Sequence, residues 1–111
     1  MEPLDGILYI AEIFYETGEL QFRYCRKPSP DGTHWIRDGR FTAYYPNGQL
    51  ASEGLYDDDQ EDGYWRDYHE NGQLAAEGFY DHGQETGLWR FYDEAGQLEA
   101  EENYASLSLG S

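Results

Sequence analysis

At 111 residues the chain is the size of one domain, long enough to bury roughly two-thirds of its unfolded surface. Its 23 acidic and 7 basic residues leave a net charge of −16, which argues against nucleic acid or anionic lipid as a direct partner and suits either a basic protein partner or solubility alone. The single cysteine, Cys25, excludes an internal disulfide framework, and the lack of a basic stretch before the first apolar run, or of any bilayer-length apolar segment, leads us to expect a cytoplasmic protein.

In chain order, the run Ile7-Leu8-Tyr9-Ile10-Ala11-Glu12-Ile13 favours a first β-strand. Phe14 to Leu20 (FYETGEL) then mirrors Tyr44 to Leu50 (YYPNGQL) at an offset of 30 residues. Residues 1–38 therefore read as a degenerate first unit, with Pro28, Pro30 and Gly32 marking a longer loop between Lys27 and His34. From 39 to 104 the chain repeats every 24 residues: Tyr44, Gly48, Gln49, Leu50, Glu53 and Tyr56 return as Tyr68, Gly72, Gln73, Leu74, Glu77 and Tyr80, then as Tyr92, Gly96, Gln97, Leu98, Glu101 and Tyr104. A period of this length signals one small unit stacked on its neighbours, an architecture that binds along an extended surface. The tail from Ala105 to Ser111 is too short to assign.

Each unit reads as a hairpin. Asn47-Gly48 and Asn71-Gly72 are strong two-residue turn signals and predict type I′ turns; Ala95-Gly96 is a weaker version. A two-residue turn fixes the register: Tyr68 faces Ala75, Arg66 faces Glu77, Trp65 faces Gly78, and likewise Phe41 faces Gly54 and Trp89 faces Glu102. An aromatic ring opposite a strand glycine covers its bare backbone. The third unit lacks the glycine, as an end unit with no successor should. A Gly- and Asp-rich loop over 81–87 leads to the next strand, which starts at Gly-X-Trp.

Alternation assigns one core face to Phe41, Ala43, Tyr45, Leu50, Gly54 and Tyr56, to Trp65, Leu74, Ala76, Gly78 and Tyr80, and to Trp89, Phe91, Leu98, Ala100 and Tyr104. The opposite face carries a row of tyrosines, Tyr44, Tyr68 and Tyr92, with Arg66 across from Glu77 and Arg90 across from Glu101, each pair contributing about 0.2–1 kcal/mol. The tyrosines are either a second packing stripe or anchors for a partner. The 17% aromatic content offsets a hydrophobic content of only 39%, giving a thin core with polar tips. The expected fold is all-β: one domain, 1–111, an open antiparallel meander of stacked hairpins with about eight strands.

No catalytic constellation is present. His34, His69 and His82 show no ligand spacing with one another or with Cys25. The loop from Asp57 to Asp62 lacks the alternating ligands and distal glutamate of a calcium loop. The recurring Glu53, Glu77 and Glu101 read as partners of arginine rather than as an acid–base pair. No metal, cofactor or enzyme activity is expected.

The unit Tyr-x-x-Asn-Gly-Gln-Leu-x-x-Glu-Gly-x-Tyr, followed by Gly-x-Trp, resembles the MORN-repeat variant, the form found in bacterial antitoxins of the YwqK type and in immunity proteins of polymorphic toxin systems. The match is close over 39–104 and faint over 14–20. The resemblance implies an open sheet of stacked hairpins that binds a cognate protein, with no catalytic residues to transfer. The expected function is an antitoxin or immunity protein that neutralises a toxin with a basic surface, a nuclease being the favoured target, by stoichiometric contact. Candidate contact residues are Tyr44, Tyr68 and Tyr92 with the acidic Asp57, Asp58, Asp59, Glu61, Glu101 and Glu102. The alternative is a MORN-type scaffold or membrane-associated module.

Overall fold

A computed structural model describes residues 9–104. They form β1 (Tyr9–Phe14), β2 (Leu20–Pro28), β3 (Trp35–Tyr44), β4 (Leu50–Asp57), β5 (Gln60–Glu61), β6 (Gly63–Tyr68), β7 (Leu74–Asp81), β8 (Gln84–Tyr92) and β9 (Leu98–Asn103). Eight strands lie side by side in sequence order in one open antiparallel sheet, and the two-residue β5 pairs with β4 beyond the end of β6. The architecture is the expected all-β meander, with nine strands instead of about eight. Ile7 and Leu8 of the predicted first strand, and the tail 105–111, lie outside the described residues. No helix occurs among the described residues, so none is long and apolar enough to cross a membrane.

The turns differ from expectation in an informative way. At Asn71-Gly72 the amide of Gly72 donates to the His69 carbonyl and the amide of His69 donates to Gln73. Gly72 has φ +92° while Asn71 is not in the left-handed region. This is a type I turn closed by a glycine bulge, a three-residue loop, and not the type I′ turn that Asn-Gly predicts. The same bonds recur at 15–19, 45–49 and 93–97. The longer loop slips the register by one residue, pairing Tyr68 with Leu74, and a bulge at Ala75 restores it, so Trp65 pairs with Gly78 as expected. One correction follows: Leu50, Leu74 and Leu98 pair with Tyr44, Tyr68 and Tyr92, which removes them from the tryptophan face. Type I′ geometry occurs instead at the opposite edge of the sheet. There Asp58 and Asp59 (φ 52° and 70°) and His82 and Gly83 (φ 51° and 90°) make tight turns between units, where the sequence suggested loose loops.

Phe41–Gly54 and Trp65–Gly78 pair within their hairpins as expected, but the ring that covers each glycine comes from the next unit. A Cβ on Gly54 would lie 2.1 Å from Cδ2 of Trp65, and one on Gly78 would lie 2.1 Å from Cδ2 of Trp89. Each indole covers the glycine of the preceding unit and donates from Nε1 to a neighbouring carbonyl, Trp65 to Leu55 at 2.9 Å and Trp89 to Phe79 at 3.0 Å. Gly63 and Gly87, at φ +86° and +70°, sit two residues before these tryptophans, where the pairing between units shifts and the strand is re-aimed over its neighbour. That is the physical content of the Gly-X-Trp motif. At the first junction two rings replace the glycine–tryptophan pair: Tyr24 occupies the glycine position and Phe41 the tryptophan position, with ring centroids 6.4 Å apart. Glu102 occupies the glycine position in the β8–β9 unit.

Trp65, Ala76, Trp89 and Ala11 are the buried hydrophobic residues among those described. Around them an aromatic row crosses the sheet: Phe41–Trp65 5.5 Å, Tyr56–Trp65 5.3 Å, Trp65–Tyr80 5.9 Å and Tyr80–Trp89 5.1 Å between centroids. Ala100 and Leu98, expected in the core, are exposed, because β9 is the edge strand among the described residues. The stack is latched at the turn edge. The Tyr15 hydroxyl donates to the Tyr44 carbonyl (2.7 Å), Tyr45 to Tyr68 (2.6 Å), and His69 Nε2 lies 2.8 Å from the Tyr92 carbonyl. Asn47 and Asn71 donate to the carbonyls of Glu70 and Glu94 in the following unit.

Candidate functional site

The face opposite the tryptophans carries a charged ladder across every strand of the sheet path. Register places Glu12, Arg23, Thr42, Glu53, Arg66, Glu77, Arg90 and Glu101 next to one another in that order. Arg90 pairs with Glu101 at 3.1 Å, as expected. Arg66 lies opposite Glu77 but closes on Glu53 of the preceding unit, at 2.6 Å. Glu77 is held instead by two phenols, Tyr64 and Tyr92, the latter at 2.7 Å. These bonds set the ionisation: hydrogen bonds from Tyr64 and then Tyr92 hold the Glu77 carboxyl below its usual range. Burial, then the bond to Glu77, pushes Tyr64 up to about 12.

The tyrosine row lies on this face. Tyr68 donates to Glu53 at 2.8 Å, and Tyr92 to Glu77. Burial raises Tyr68 first and its hydrogen bond second, whereas the bond to Glu77 is the main cause for Tyr92. Both hydroxyls thus already hold the stack together. Tyr44 has no glutamate at the corresponding position and lines a cavity instead. Beside the ladder, Leu55, Tyr64, Phe79 and Leu88 are exposed on the same face, and Tyr64 and Phe79 pack at 5.2 Å.

The acidic candidates lie at the other edge. Asp58 accepts Lys27 Nζ at 2.6 Å, and Asp59 accepts Arg37 Nε at 3.0 Å and the Arg37 amide at 2.9 Å. The Arg37 backbone amide is the main reason the Asp59 carboxyl is held below its usual range. These two acids are therefore occupied in pinning the turn to β3. Glu61, half-buried, helps push Tyr80 up to about 12, after burial itself. Asp57, Asp62 and Asp81 have only His82 for a cation among the described residues, at 3.6, 3.9 and 2.7 Å. Glu101 and Glu102 part company: Glu101 is in the ladder, while Glu102 pairs with Trp89 on the opposite face. The candidate residues thus fall on three surfaces, and the structure does not bring them together into one site.

Two groups of acids approach metal-ligand spacing, Asp62-Asp81-His82 and Asp38-Asp57-Asp58. The second already seats the Lys27 ammonium, 3.7 Å from Asp38 and 2.6 Å from Asp58. In the first, the carboxylates of Asp81 and then Asp62 raise His82 above its ordinary value, favouring the imidazolium. A raised pKa makes this contribution complete below about pH 6.5 and lost as pH rises through the folded value. The melting-temperature difference between the parent and His82→Asn should therefore be larger at pH 5.5 than at pH 8.5; equal differences would exclude the charge effect.

Arg23, Arg40 and Thr42, on the ladder face beside Tyr44, were not singled out from the sequence. The available signal was a break in periodicity, with Thr42 where the other units have Arg66 and Arg90.

The model for the MORN repeat variant matches residues 37–58, 61–82 and 85–106, together more than half of the chain. No curated protein and no solved structure matches significantly. The matched segments coincide with the three glycine- and tryptophan-linked hairpins, and the chain belongs to the MORN-repeat-variant family.

Proposed function

We propose that this chain is an antitoxin or immunity protein of the bacterial cytoplasm. It neutralises a toxic protein with a basic surface by stoichiometric contact and performs no catalysis itself. A MORN-repeat chain is an interaction or scaffold module, and the observation that carries the finer reading is the acidic edge. There the inter-unit turns stack Asp57, Asp62 and Asp81 around one histidine, with Glu61 and Glu85 alongside on β5 and β8. Such an edge steers a cationic surface into encounter. A toxin that holds phosphates, as a nuclease does, presents such a surface.

The test is capture of the partner from native lysate, followed by kinetics. The expected result is a basic protein bound at equal stoichiometry, its toxicity suppressed, with an on-rate that falls as salt rises. The isosteric combination Asp57→Asn, Asp62→Asn and Asp81→Asn should slow association about tenfold at low salt and flatten the salt dependence. An on-rate indifferent to salt and to the triple substitution would overturn the reading.

The scaffold alternative has its own observation. Among the described residues β1 is an edge strand, exposing Ile10, Ile13 and Phe14, while the other edge strand, β9, carries Glu99, Glu101 and Glu102. Concentration-dependent self-association abolished by Ile13→Lys would favour it.

A further inference from the structure

The charged ladder is broken once. Between full repeats, a glutamate of one unit meets an arginine of the next, Glu53 with Arg66 and Glu77 with Arg90, and a tyrosine hydroxyl closes on that glutamate. Between the β1–β2 hairpin and the first full repeat, the glutamate position holds Arg23, the arginine position holds Thr42, and the tyrosine is Tyr44. Arg40 stands two residues before Thr42 on the same face. Among the described residues, the ion pair of Arg23 is to Glu12, at 3.6 Å, while Arg40 has none although the chain has 23 acidic residues. The Thr42 hydroxyl makes only a long bond to the Arg23 carbonyl, 3.4 Å. Together with Ile10 and Cys25 these side chains line a cavity of about 370 Å³, within the size range of small-molecule sites.

We propose that this cavity binds a small organic acid whose carboxylate takes the place of the absent glutamate. The guanidinium groups of Arg23 and Arg40 and the hydroxyl of Tyr44 donate to the carboxylate oxygens, and a short apolar chain lies against Ile10 and Cys25. The same face supplies the template, since the Glu53 carboxylate is already held by an arginine and a tyrosine. A guanidinium fork matches a carboxylate in geometry and charge. The net charge of −16 disfavours a polyanion and selects a ligand with one negative charge.

The test is a titration of the ¹⁵N-labelled chain with sodium butyrate, followed by NMR at the arginine Nε–H groups and the backbone amides. Sodium phosphate and sodium chloride at matched ionic strength are the other arms. Butyrate should give saturable shifts confined to Arg23, Arg40, Thr42 and Tyr44, with Arg90 unmoved. Arg40→Gln or Arg23→Gln should weaken binding about fivefold or more, and Arg90→Gln should leave it unchanged. Arg40 is exposed, so its variant keeps the fold, and the remainder of its spectrum reports that directly. Shifts that fail to saturate, or that chloride reproduces, would overturn the proposal. So would unchanged affinity in Arg40→Gln, or tighter binding of phosphate than of butyrate.

Discussion

Gly78→Ala is expected to destabilise the protein by about 3 kcal/mol, at the upper end for overpacking. The new methyl would sit 2.1 Å from one indole carbon of Trp89 and 2.2 Å from another, and neither neighbour can yield. Trp89 is 5% exposed, its Nε1 is bonded to the Phe79 carbonyl, and Gly78 lies within a paired strand. Trp89→Ala alone should cost about 3–5 kcal/mol through the lost ring. The decisive measurement is the double variant. Removing the indole removes the three atoms nearest the added methyl, so Gly78→Ala in the Trp89→Ala background should be neutral or stabilise by up to about 1 kcal/mol, the ordinary glycine-to-alanine scale. Urea unfolding of all four proteins closes the cycle. Additive costs would mean that the strand glycine serves its own backbone, not the ring above it.

Glu77→Ala should cost about 2 kcal/mol. Two phenols from different strands donate to this carboxylate, and hydrogen bonds to a charged acceptor are worth more than neutral ones; solvent contact at this half-buried position tempers the sum. The pH dependence is the sharper signature. Because the Glu77 pKa is lowered on folding, its contribution is complete above the unfolded value of about 4.5 and disappears as pH falls through the folded value. Glu77→Gln keeps the shape but removes this titration. Its stability deficit should be full at pH 7 and vanish at the acid end. A deficit constant from pH 7 to pH 3 would assign the role of Glu77 to packing alone.

Much of the fold was legible because period and pattern agreed. The 24-residue repeat, the alternation along each strand and the turn signals all lead to an antiparallel meander. The pairing of Trp65 with Gly78 was correct although the turn type behind it was not. A three-residue loop and the bulge at Ala75 cancel, so an error of one residue at the turn leaves the strand unaffected. What the sequence concealed lies between units. Register arguments work outward from a turn and pair strands within a hairpin, so they could not show that Trp65 covers Gly54, or that Arg66 prefers Glu53 to Glu77. The acidic stretch misled for another reason. Charge counts do not show that Asp58 and Asp59 are spoken for by Lys27 and Arg37, from a segment about 20–30 residues earlier. The Arg23–Arg40 cavity was visible only as an irregularity, and irregularity in a first unit reads as degeneration until the neighbouring side chains are placed.

The contacts described above that join one full repeat to the next reach a short way along the chain. A tryptophan sits 11 residues after the glycine it covers, the glutamate that takes a tyrosine hydroxyl lies 15 residues before it, and the turn-edge latches between full repeats span 23. Every one of these separations is less than the 24-residue period. A tandem duplication of any 24-residue window between Gly54 and Trp89 would therefore hand each new indole a glycine and each new phenol a carboxylate, whatever the breakpoint. The molecule can lengthen by whole units without inventing a contact, and the reach of its binding surface becomes a quantity that copying errors alone can tune.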